Sequence, residues 1–75
     1  MSFKSRATID MVRIAEAGGG LHFEGTVHST IDLVRIAEAS KKGGAQLVLT
    51  GMAAKATIDL VRISKAGEGC VTFED

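Results

Sequence analysis

A ten-residue stretch occurs three times in this chain, and that repetition limits what the chain can fold into. It reads TIDMVRIAEA at Thr8–Ala17, TIDLVRIAEA at Thr30–Ala39 and TIDLVRISKA at Thr57–Ala66. Seven of the ten positions are identical in all copies. Copies this alike form one element in like surroundings, so the chain is a series of similar units.

The stretch has the pattern of an amphipathic helix. At about 100° per residue, Leu33, Val34, Ile36 and Ala37 fall in one broad arc, with Asp32, Arg35 and Glu38 opposite and Ile31 at the border. An apolar arc this wide suits a helix that lies on a sheet with a helix on either side. Leu33, Val34 and Ala37 are the expected contacts to the sheet. Ile31 and Ile36, on opposite flanks, are the expected contacts between helices. Ser29 or Thr30 can cap the second helix, with Asp32 favourably placed in its first turn. Ser5 is the expected cap of the first, which would run to Ala17. Gly18 and Gly67 directly follow the first and third copies, as left-handed C-caps do.

A short alternating segment follows each helix: Leu21–Glu24, Leu47–Thr50 and Val71–Glu74. Glycine bounds the first two, and the alternation predicts strands. Met1–Lys4 reads as a lead-in rather than an extra edge strand. The unit is helix–loop–strand, repeated at spacings of 22 and 27 residues between the threonines. One domain over residues 1–75 is expected, in units of about 5–25, 26–51 and 52–75.

Consecutive helix–strand units give a parallel sheet with right-handed crossovers. Continuously apolar strands would indicate helices on both faces. These alternate instead, with Leu21, Phe23, Leu47, Leu49, Val71 and Phe73 on one side. His22, Glu24, Val48, Thr50, Thr72 and Glu74 occupy the other. The expected fold is therefore a short three-unit α/β solenoid with all helices on one face. In architecture and period it is loosely similar to leucine-rich repeats. It departs from them after the strand, where those repeats carry Asn or Cys and this chain has Gly25, Gly51 and Asp75.

A solenoid needs polar capping units at its ends, and no such unit is visible. Helix one repeats the flank isoleucines as Ile9 and Ile14, and helix three as Ile58 and Ile63. The outer strands add unpaired backbone groups, templates for another strand. The expected assembly interface is Ile9, Ile14, Ile58 and Ile63 with the strands bearing Leu21, Phe23, Val71 and Phe73. Its simplest partner is a second copy stacked head to tail, giving a ring, tube or filament. Asp10, Asp32 and Asp59 form one row and Arg13, Arg35 and Arg62 another. Both are candidates for setting the register between units, against the plainer reading of a solvated charged face.

Chemistry is sparse by comparison. Nine basic and nine acidic residues leave no net charge, which argues against nucleic acid or an anionic membrane as partner. His22 and His28 are the only histidines, with no third ligand at zinc spacing, so no metal or other cofactor is expected. Cys70 stands alone and reads as a small, partly buried residue. Glu24 and Glu74 are equivalent surface positions, expected two strand spacings apart. Gly18-Gly19-Gly20 precedes a strand, the reverse of a dinucleotide-binding loop. Arg6, His28 and Lys55 each stand two residues before a repeat threonine. They read as solvated positions, with an anion-binding row near the helix starts as the sharper alternative.

No catalytic constellation can be named, so the chain is not expected to be an enzyme. A structural, self-assembling repeat protein is the expected function. The alternatives are a module binding protein or peptide on the bare sheet face, or an excerpt of a longer repeat protein. No membrane-spanning run is apparent, and a cytoplasmic location is the default.

Overall fold

The computed structural model describes residues 7–75. The elements alternate as α1 (Thr8–Glu16), β1 (Leu21–Glu24), α2 (Thr30–Gly43), β2 (Leu47–Thr50), α3 (Thr57–Gly67) and β3 (Val71–Phe73). Single 3-10 turns at Gly25–Val27 and Met52–Ala54 lead from strand to helix. Ser5, Arg6 and the Met1–Lys4 lead-in lie outside the described residues.

The strands form one parallel sheet in the order β1-β2-β3. Leu21 stands opposite Leu47, and Leu47 opposite Val71. That register is the ungapped alignment of the three strand segments. β1 and β2 alternate in burial, and the core-facing side chains Leu21, Phe23, Leu47 and Leu49 are buried. They share one apolar cluster with Met11, Ala15, Leu33, Ile36, Ala37 and Ile63 of the helices. The helices therefore cover one face of the sheet, and α2 packs between α1 and α3. This is an α/β repeat architecture. No helix among the described residues is long and apolar enough to cross a membrane.

Helix ends differ between units where the repeat text differs. Ser29 caps α2, accepting a hydrogen bond from the Asp32 N–H at 3.2 Å. Ala7 and Ala56 hold the equivalent positions without a side-chain cap, and α1 begins at Thr8. Gly18, at φ 93°, follows α1 in a conformation that only glycine adopts easily. Gly67 does not take that role. It stays helical and buried, and the left-handed residue after α3 is Glu68, at φ 41°.

The reason lies in packing. A Cβ on Gly67 would meet the Val71 side chain and approach Ala37 of α2 to 3.5 Å. One unit earlier, a Cβ on Gly43 would run into the carbonyl oxygens of Ala15 and Glu16. Gly43 therefore lets the last turns of α1 and α2 approach closely, while Gly67 leaves room for Val71 of its own unit.

Ile36 and Ile63 lie two turns before Gly43 and one turn before Gly67, on the same helix faces, and both are fully buried. Each faces the helix before it. The other expected flank contact is overturned: Ile31 of the central helix is 68% exposed. Its wheel position, about 100° from Thr30, falls between Glu38 at about 80° and Arg35 at about 140°, inside the polar arc. The flank facing the following helix carries valine instead. Val12 and Val34 are half-buried there.

Two expected outcomes follow from this packing. Gly43→Ala lowers stability by about 1–3 kcal/mol despite alanine's better helix propensity, because the new methyl meets backbone. Ile36→Ala costs about 2–5 kcal/mol, whereas Ile31→Ala stays within about 0.5 kcal/mol. Urea unfolding followed by circular dichroism in dilute solution measures all three.

Candidate functional site

The C-terminal end of the stack is the least finished part of the molecule. In unit two, Leu33, Ala39, Leu47 and Leu49 are buried. Their unit-three counterparts Leu60, Ala66, Val71 and Phe73 are only partly so. Val61 stands where Val12 and Val34 meet a following helix, and it is 44% exposed. The same residues, in the same fold, lack one covering layer at this end.

Ser64 lies on that flank in place of the fully buried Ala15 and Ala37. Its hydroxyl donates to the Leu60 carbonyl at 2.8 Å. Ser40 makes the same bond to the Ile36 carbonyl, at 3.1 Å, while buried. A serine bonded back to its own helix is therefore compatible with burial in this chain, and Ser64 does not make the flank a polar cap.

The sequence-predicted assembly residues separate into three groups. Ile63 is buried inside the chain and contributes nothing to a free end. Ile14 lies on the flank of α1 turned away from α2, half-buried. Ile9 and Ile58, at 55% and 70% exposure, belong with Ile31 to a row across the outer helical surface. Because the central unit carries it too, this row is a property of the unit and not of its ends. Leu21 and Phe23 have buried side chains, which leaves β1 its backbone as an edge. Val71 and Phe73 keep part of their side chains uncovered.

The Asp and Arg rows do not pair. Among the described residues, no ion pair involves Asp10, Asp32, Asp59, Arg13, Arg35 or Arg62. Charges instead link units at the last helical turns, where Lys42 Nζ lies 3.7 Å from Glu16 and Lys41 Nζ 2.9 Å from Glu68. The signal for these was in the sequence, as a basic last turn in α2 beside acidic ends on its neighbours. An open groove of about 480 Å³ between α2 and α3 is lined by Glu38, Lys41, Lys42, Lys65 and Ala66. Both α2 lysines in it are engaged by those carboxylates.

The bare sheet face has its own arrangement. His22 on β1 reaches across β2 to Glu74, with Nε2 3.5 Å from Oε1. Glu24 accepts instead from the Thr26 hydroxyl at 2.7 Å, so the two equivalent carboxylates have different partners. Of the basic positions before the helices, Lys55 and His28 lie among the described residues, and each has a neighbour. Lys55 donates to Thr30 Oγ1 at 3.3 Å. His28 packs edge-on against Phe23 with centroids 5.3 Å apart, its Nε2 buried without a hydrogen-bond partner among the described residues. Cys70 is a free, half-buried thiol. Among the described residues, no three His, Cys, Asp or Glu side chains group as a metal site.

One exposure follows directly. In a Cys70→Ser background, a cysteine placed by Thr72→Cys reacts with a maleimide within about tenfold of the rate of a free peptide thiol. Mass spectrometry of timed samples gives the rate. Strong protection would mean that something covers the bare face.

No protein-family model, curated protein or solved structure matches this chain.

Proposed function

We propose that this chain is a non-catalytic repeat module that assembles with further copies of itself, head to tail along the sheet. The observation that carries this reading is the half-covered α3–β3 end. Its residues are those that the next unit buries elsewhere in the same molecule. A following copy supplies the missing layer, with its α1 flank bearing Ile14 and its β1 edge against Val61, Val71 and Phe73. The likeness to leucine-rich repeats fits this reading, since such units bury a continuous core only by stacking.

Magnitudes set the regime. Burying roughly a few hundred Å² of apolar surface at about 25 cal/mol per Å² contributes several kcal/mol. Association costs about 4–15 kcal/mol in lost rigid-body freedom. The two are close, so assembly is concentration-dependent, and ring or filament follows from whether the stacking rotation closes. A second reading uses the exposed face of His22, Thr72 and Glu74 to bind a protein or peptide. It requires a chain that stays monomeric.

Light scattering across a concentration series decides between them. Mass rising from the 7.8 kDa monomer toward large multiples supports assembly. A constant monomer mass sinks it and favours the sheet face. Val61→Lys changes an exposed position and leaves the fold intact, and it shifts assembly to at least tenfold higher concentration. Ile63→Lys is no test of assembly, because it places a charge in the core.

A further inference from the structure

The backbone ladder has a phase that defines what each edge of the sheet can accept. Leu21 donates its N–H to the Gln46 carbonyl at 3.0 Å, and Leu47 donates to the Cys70 carbonyl at 2.7 Å. Glu74 donates to the Leu49 carbonyl at 2.8 Å. In a parallel pair, alternate residues of a strand turn their peptide groups toward the same neighbour. With Leu21 opposite Leu47 and Leu47 opposite Val71, core-facing residues turn theirs toward the following strand. Residues facing the bare side turn theirs toward the preceding one.

The same phase governs the edges. Val71 and Phe73 turn their N–H and C=O groups away from β2, into the open edge of β3. At the other edge, His22 and Glu24 of β1 turn theirs away from β2. Every strand that follows another in this sheet presents its bare-side residues to it, and β1 presents just that set. Side chains agree. Val12 and Val34 lie on flanks that face Ile36 and Ile63, so Val61 is the flank that suits Ile14.

Resting on the head-to-tail reading, we infer that β3 of one chain pairs in parallel with β1 of the next, with Val71 opposite Leu21, Thr72 opposite His22 and Phe73 opposite Phe23. Val71 N–H donates to the Gly20 carbonyl of the next copy, and that copy's His22 N–H donates to the Val71 carbonyl. Phe73 N–H donates to the His22 carbonyl, and Glu24 N–H to the Phe73 carbonyl. The sheet continues across the junction without a change of register.

Disulfide trapping tests the register. In a Cys70→Ser background, His22→Cys and Thr72→Cys are combined. The inferred junction places these positions one strand spacing apart, about 4.8 Å, within the Cα range that a disulfide spans. Inside one chain they are two spacings apart and do not bridge. Oxidation is expected to give a ladder of covalent multiples on a non-reducing gel, with neither single variant crosslinking. Efficient dimers from Thr72→Cys alone would mean that two β3 edges meet about a two-fold axis. Equal trapping by Thr72→Cys with Glu24→Cys would mean a shifted register. Either result overturns this inference and leaves self-assembly standing, as do large particles with no crosslink. A chain monomeric by light scattering at every concentration overturns both.

Discussion

Each unit of this protein completes its core only with the unit beside it, and the rest of the structure depends on that. Leu33, Leu47 and Leu49 in the central unit are fully buried, while Leu60, Val71 and Phe73, in the same places one unit on, are not. The residue types barely differ; the number of neighbours does. Stability in such a stack is a sum of weak units and stronger interfaces. A chain of 75 residues with one cysteine has little else to hold it, since small domains bury a modest share of their surface. A layer over the α3–β3 end would therefore add to the stability of the fold itself.

The interfaces rely on close approach more than on charge. Gly43 brings α1 and α2 together at their last turns, Gly67 packs on Ala37 of α2, and Ala15 and Ala39 are buried as well. Ser40 enters a buried seam by bonding its own helix. The ion pairs between units lie at the solvent surface, where such pairs contribute about 0–1 kcal/mol each. They favour one alignment of the helices without supplying the force that joins them. Two broad surfaces remain outside this scheme. The row of Ile9, Ile31 and Ile58 and the bare face of the sheet recur unit by unit. The proposed stacking along the sheet would lengthen both and cover neither.

Much of this was legible in the residues. Strict text repetition located the helices, and period-two alternation located the strands and placed every helix on one side. The strand alignment without gaps is the observed register. Two expectations fail because residue type outweighs position in them. Ile31 is apolar, yet its angle on the helix lies among charged neighbours. Glycine after a helical repeat suggests a cap, but the left-handed position after α3 falls to Glu68, and a side chain on Gly67 would meet Val71. The Asp and Arg rows were conspicuous in the text and pair with nothing among the described residues. Lysines of an extended last turn make the inter-unit contacts instead.

The sequence by itself determined the unit, its order and its periodicities, because hydrophobic pattern and local backbone preference act over a few residues. Only the tertiary structure decided which flank of each helix meets which neighbour. That choice depends on the distance between helices, which is set by atoms of two units at once. It moved Ile63 into the core and left Val61 at the open end. It also settled which peptide groups of β1 and β3 turn away from β2, because the phase of a parallel ladder exists only once two strands stand side by side.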